Sequence, residues 1–156
     1  IKEIEELVNP HEIGENHIRT ILGKCQKKVI RYTQDEAGET DAKVLIIDCI
    51  GLLSSIYRYG KIAYIGGGFG VGIHNTLEAA VYGIPVIFGP RYQKFNEAVR
   101  LIQHGGAFSI HNKTELDELL DSLLQDQAIT ETAGRQALAY VSSQLGATAI
   151  IMKYLV

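Results

Sequence analysis

The stretch Ile62–Pro90, IAYIGGGFGVGIHNTLEAAVYGIPVIFGP, constrains this chain more than any other. Its apolar opening, Ile62–Ile65, reads as a buried strand. A glycine-dense turn follows at Gly66–Gly72, and the apolar residues Leu77, Ala80 and Val81 then mark an amphipathic helix from His74 to Tyr82. Gly83 stops that helix, Pro85 starts the next segment, and Val86–Phe88 is a second apolar strand. Strand, glycine loop, helix, strand is a βαβ unit, and its strands run parallel with a right-handed crossover.

Glycines at positions 66, 67, 68, 70 and 72 let the backbone take positive φ and approach a ligand with no Cβ in the way. The loop feeds a helix start, whose first N–H groups lack intrahelical partners and attract an anion such as phosphate. A tight turn with no ligand is the plainer reading, but five glycines in seven residues exceed what a turn needs. Two familiar phosphate motifs fail. The dinucleotide fingerprint wants a sixth-position glycine where Val71 or Ile73 stands, and the P-loop wants Ser or Thr where Cys25 or Ile62 follows Gly-Lys.

The same alternation continues on either side. Leu7-Val8 closes a first short strand, a helix runs from Pro10 to about Lys24, and Val29–Thr33 is a second strand. Gln34–Ala42 is a polar loop. Lys43–Cys49, KVLIIDC, is a strand with Asp48 near its C-terminal end, placed either to cap the helix Leu52–Tyr59 or to face a ligand. After Phe88 come helices at about Phe95–His104, from Asn112 or Lys113 to Gln125, at Ala128–Gln144 and at Ala147–Leu155, with a strand at Ala107–Ile110. The pattern predicts an α/β fold: a doubly wound, mostly parallel sheet with helices on both faces. Ile1–Glu6 reads as a linker remnant and 7–156 as one domain.

With 46% hydrophobic and 21% charged residues, the composition is that of an ordinary globular domain. A net charge of −3 without a Lys/Arg cluster argues against a nucleic-acid groove. Two cysteines supply neither a disulfide framework nor a zinc site, and the histidines fall outside the metalloprotease pattern, so no metal and no cofactor are expected. No apolar run reaches membrane-spanning length and the N-terminus lacks signal-peptide character, which makes a cytoplasmic location the default.

Several side chains near the glycine loop can carry chemistry. Glu78, a turn past His74, either faces solvent or accepts both vicinal hydroxyls of a ribose whose phosphate sits at the loop. Asn75 is a helix cap or a ligand contact, and His74 can donate to a phosphate or a sugar carboxylate. Asn96 and Glu97, after the Val86–Phe88 strand, open a solvated helix or reach the same ligand from the neighbouring loop. Arg91 and Lys94 meet a second phosphate or water, and His11 in the Pro10 turn lies at the same sheet edge.

The run GGGFGVGIHNTLEAAVYGIPVIFGP resembles the nucleotide-sugar-binding half of GT-B glycosyltransferases. It is most similar to the 3-deoxy-D-manno-octulosonic acid (Kdo) transferases of lipopolysaccharide assembly. The matching residues are Gly66-Gly67, then Gly72, His74, Asn75 and Glu78, then Gly83, Pro85, Val86, Gly89 and Pro90, with Asn96-Glu97 downstream. Ile73 replaces a second glycine before His74, and His11 stands where many members have arginine.

The resemblance implies a Rossmann-like donor domain that binds CMP-Kdo for inverting, metal-independent transfer to a lipid A precursor. Glu78 would hold the ribose, and Gly67, Gly68, Gly72, His74 and Asn75 would surround the phosphate. Asn96 and Glu97 would meet the donor from the side, with His11 near the phosphate. The general base and the acceptor groove would belong to an N-terminal domain absent from this chain, leaving these residues inactive alone. The full-length enzyme would be membrane-associated, at the cytoplasmic face of the bacterial inner membrane. Two alternatives remain: another GT-B domain that uses a UDP-sugar, as transferase or epimerase, and a non-catalytic Rossmann-like module.

Overall fold

A computed structural model describes residues 4–34, 41–146 and 151–154. The chain divides into two compact units, Ile1–Ile56 and Tyr57–Val156. Each is built on a three-stranded, all-parallel sheet, and helices lie on both sides, so the α/β fold class expected from the alternation holds.

In the first unit β1 (Glu6–Val8), β2 (Val29–Arg31) and β3 (Val44–Ile46) pair in the order β1-β3-β2. The central strand is the one that reads as a continuous apolar run, and Val44, Leu45 and Ile46 are all buried. That is what a strand covered on both faces requires. Helix α1 (Glu15–Lys24) starts later than Pro10, because Gly14 is extended (φ −61°, ψ 141°) and forms its N-cap without a side-chain bond. The expected 52–59 helix is one turn, α2 (Leu53–Ile56), and Tyr57–Tyr59 beyond it is a 3₁₀ turn.

Asp48 does not cap that turn through its carboxylate in the way the sequence suggested. Its oxygens instead accept from the Thr33 backbone N–H at 3.0 Å, the Thr33 hydroxyl at 2.6 Å and Arg31 Nε at 2.7 Å. Arg31 also donates through Nη1 to Glu15 at 3.0 Å, which ties the ends of β2 and β3 to the start of α1. Burial pushes the Asp48 carboxyl up, but the Thr33 and Arg31 bonds outweigh it and hold the group at about 2.

The second unit contains β4 (Ala63–Ile65), β5 (Val86–Phe88) and β6 (Ala107–Ser109) in the order β4-β5-β6. Strand β5 is again central. Val86 and Phe88 pack on one face with Ile65, Ala98, Leu101 and Ala137, while Ile87 packs on the other with Ile110 and Leu123. Helices α4 (Asn96–Gln103), α5 (Lys113–Gln125) and α6 (Gln127–Ser143) cover these faces. Asn112 caps α5 by accepting from the Glu115 N–H, and Asp126 caps α6 by accepting from the Ala128 and Ile129 N–H groups. Of the helix expected at 147–155, residues 151–154 are helical and the rest lie outside the described residues. So do residues 1–3 of the expected linker and 35–40 of the polar loop.

The helix expected from His74 to Tyr82 is a single turn, α3 (Leu77–Ala80). Two local features shorten it. Asn75 accepts the Leu77 N–H through its side chain at 3.0 Å, a turn that competes with helix, and Gly83 at φ +69° redirects the chain after Tyr82.

Candidate functional site

Strand β4 ends at Ile65 and delivers the chain into the glycine loop, residues 66–72. Gly67 takes φ +89°, and a Cβ there would sit 2.2 Å from the Gly72 carbonyl oxygen. Gly68 is buried against the backbone of Gly89, where a Cβ would lie 2.5 Å from the Gly89 nitrogen. Gly72 lies under the Phe95 ring, which a Cβ would meet at 2.8 Å. These three glycines are therefore required by the packing of the loop on itself, on the loop after β5 and on the start of α4. Their number is no measure of a ligand.

The orientation of the peptide groups says more. The Gly66 carbonyl accepts from the His74 N–H at 3.3 Å, and that of Gly67 accepts from Gly70 and Gly72 at 2.9 and 3.3 Å. The Gly68 carbonyl accepts the Arg91 backbone N–H at 2.9 Å, and the Gly70 carbonyl accepts Arg91 Nη1 at 2.7 Å. The negative ends of these peptide dipoles are thus occupied by donors of the same unit. In a trans peptide the N–H points opposite to the C=O, so the N–H groups of Gly68, Phe69 and Val71 point away from those bonds. The Gly70 and Gly72 N–H groups are used on the Gly67 carbonyl, whereas these three are turned away from the loop's internal bonds, as groups that meet an anion must be.

Beyond the loop, His74 is exposed, and its ring lies beside Gly66. Asn75 uses both ends of its amide: Oδ1 takes the Leu77 N–H, and Nδ2 donates to Glu78 Oε1 at 2.9 Å. This bond orients the half-buried Glu78 carboxylate at the start of α3. Tyr57 lies near it: burial pushes the Tyr57 phenol up, and the Glu78 charge adds to that. Asn96 and Glu97 open α4 directly after Phe95, so the ring that covers Gly72 brings their backbone to the loop.

The structure therefore gathers Gly67, Gly68, Gly72, His74, Asn75, Glu78, Asn96 and Glu97 into the second unit, around one loop. Gly68 and Gly72 are buried and shape it, whereas Gly67, His74, Asn75 and Asn96 are exposed. His11 belongs to the first unit, exposed in the turn after β1. The short α3 supplies little macrodipole, so charge complementarity here falls to loop peptides and side chains rather than to a long helix.

Two residues gain importance over the sequence reading. Arg91 is a loop tie rather than a loose cation. Thr76, read as helix interior, is 1% exposed, and its hydroxyl has no hydrogen-bond partner among the described residues. Among those residues no group of three or more His, Cys, Asp or Glu side chains is placed to hold a metal ion. No described helix is long and apolar enough to cross a membrane.

No protein-family model matches the chain. Among curated proteins it is 42% identical over 86 residues to the 3-deoxy-D-manno-octulosonic acid transferase of Aquifex aeolicus, covering 54% of this chain and 24% of that protein. It is 30% identical over 132 residues to a probable mitochondrial 3-deoxy-D-manno-octulosonic acid transferase of Arabidopsis thaliana, covering 81% of this chain and 29% of that one. The chain is a sequence relative of the Kdo transferases. It spans about a quarter of the length of the curated Kdo transferases it matches. Its fold is that of the C-terminal CMP-Kdo binding domain of WaaA from Acinetobacter baumannii, with a TM-score of 0.74, 22% identity and coverage of 84% of this chain and 70% of that structure. The resemblance is thus matched in sequence by curated Kdo transferases and in fold by one solved domain.

Proposed function

We propose that this chain is the donor-binding part of a glycosyltransferase that moves Kdo from CMP-Kdo to a lipid A precursor. The observation that carries the reading is the glycine loop with its carbonyls tied inward, next to a carboxylate held in place by Asn75. The two features match two adjoining parts of a cytidylate: N–H groups for the phosphate and an acidic acceptor for the ribose hydroxyls.

In this reading the Glu78 oxygen not bonded to Asn75 accepts from the ribose. His74 and Asn75 flank the phosphate with Gly67, Gly68 and Gly72 shaping the loop around it. Asn96 and Glu97 meet the rest of the donor. As the bond between the Kdo anomeric carbon and the phosphate oxygen breaks, its electron pair leaves with CMP, and the loop dipoles stabilise the added charge without a metal. The acceptor hydroxyl attacks the opposite face of the sugar, inverting it, and passes its proton to a base outside this chain. That base, the acceptor groove and the contact with the cytoplasmic face of an inner membrane belong to the part of the relatives this chain does not match. Residues 7–156 then form the donor domain, joined by Glu5 and Glu6 of the expected linker, whose N–H groups donate to the Lys43 carbonyl beside β3, and the isolated chain transfers nothing.

Calorimetric titration with CMP, dCMP and UDP tests the proposal. CMP binds most tightly, and dCMP loses about tenfold, roughly one charge-assisted hydrogen bond from Glu78. Glu78→Gln removes that CMP-over-dCMP preference. A preference for UDP, or a preference for CMP over dCMP that survives Glu78→Gln, contradicts it.

A further inference from the structure

Gly70 is one of the loop glycines whose position does not require the absence of a Cβ. Its φ lies outside the left-handed region, and the nearest atom to a Cβ built on it is the Gly67 oxygen at 3.6 Å. Val71, which follows, is fully exposed. No side-chain packing therefore decides which way the peptide between them points. A flip of that peptide would turn a carbonyl oxygen to the side where its N–H now lies, reversing the sign of the dipole an anion would meet. The flip would also carry Val71 to a positive φ, which a β-branched residue resists, and one side-chain contact adds to that resistance. Arg91 Nη1 donates to the Gly70 carbonyl at 2.7 Å, from a residue whose own backbone N–H is anchored on the Gly68 carbonyl at 2.9 Å. The guanidinium thus works from a fixed base over a short reach.

We propose that Arg91 is a positioning residue for the nucleotide phosphate: it holds the Gly70 carbonyl, and so fixes the Gly70–Val71 peptide with its N–H on the anion-binding side. The inference rests on the donor-binding reading of this loop and adds a residue from the neighbouring strand's loop to it. Arg91 acts through the peptide and needs no contact with the ligand.

The experiment compares the wild-type chain with Arg91→Ala and Arg91→Lys by CMP titration, amide hydrogen exchange without nucleotide, and thermal melting. Arg91→Ala is expected to speed exchange at residues 69–72 and to weaken CMP binding roughly tenfold, about the worth of one hydrogen bond to a charged group. Its melting temperature stays at the wild-type value because the side chain is exposed. Arg91→Lys restores one donor and recovers part of both effects. Unchanged loop exchange in Arg91→Ala overturns the proposal whether or not CMP binds. So does a looser loop with wild-type affinity, or an affinity loss accompanied by faster exchange throughout the second unit and a lower melting temperature. Failure of the wild-type chain to bind CMP instead overturns the donor-binding reading, and the role for a phosphate falls with it.

Discussion

Asp48 offers a quantitative test of the first unit, because one buried carboxylate there ties two strand ends and its protonation can be followed. Its side chain is 1% exposed, and it accepts from Arg31 and from two groups of Thr33. Its ordinary value of 3.8 falls to about 2 in the folded chain. The folded state therefore favours the ionised form. The stabilisation is fully present above 3.8, is lost as pH falls from there through about 2, and is absent below. At about 1.36 kcal/mol per pH unit, the gap amounts to about 2 kcal/mol. The perturbation is Asp48→Asn, which keeps the shape and removes the titration. Urea denaturation of both proteins between pH 7 and pH 2 isolates the contribution, since Glu15 and the other carboxylates titrate in both. The wild type should be the more stable at pH 7, and its advantage should shrink by about 2 kcal/mol on reaching pH 2. Parallel pH profiles would refute the reasoning, because they would mean that Asp48 carries the same proton affinity folded and unfolded.

Two further outcomes follow from the second unit. Gly68→Ala places a Cβ 2.5 Å from the Gly89 backbone nitrogen, so the two loops must separate, whereas Gly70→Ala has 3.6 Å to its nearest neighbour. Thermal melts should show a loss of about 2 kcal/mol or more for the first and about 0.5 kcal/mol or less for the second, and equal losses would show that the loops do not touch. Thr76→Val removes a buried hydroxyl without a partner and keeps the shape, so it should raise stability by about 1 kcal/mol, or roughly 2–4 °C. A drop of that size would mean the hydroxyl is bonded in solution.

The strands were legible because burial on both faces forces a continuous apolar run, and the two clearest runs, at 43–49 and 86–88, contain the two central strands. Asn112 was legible for a different reason: a cap acts within one turn, so its signal is local. The length of α3 was not. Leu77, Ala80 and Val81 have helical spacing, but Asn75 prefers to take the Leu77 N–H by its side chain, and periodicity does not record that competition. The role of Asp48 was hidden because its partners lie elsewhere in the chain, Arg31 at the end of β2 and Thr33 in the 3₁₀ turn that follows it. The glycine loop was located correctly and explained only in part. Glycine count suggested room for a ligand, yet Gly67, Gly68 and Gly72 are required by contacts within the second unit. What favours an anion is the direction of the peptides, and part of that is set by Arg91, 21 residues away from Gly70. Glu78 drew attention in the sequence through its spacing from His74, whereas its bond to Asn75 is seen only in the structure.

The central claim is that the loop at residues 66–72 and the Asn75–Glu78 pair grip a cytidylate. Mapping amide chemical shifts of the isotope-labelled chain during a CMP titration tests it most directly. The largest, saturable changes are expected at Gly67, Gly68, Phe69, Val71, His74, Asn75 and Glu78, with smaller ones at Asn96 and Glu97. Changes confined to other surfaces, or a titration to millimolar CMP that moves none of these amides, would contradict it.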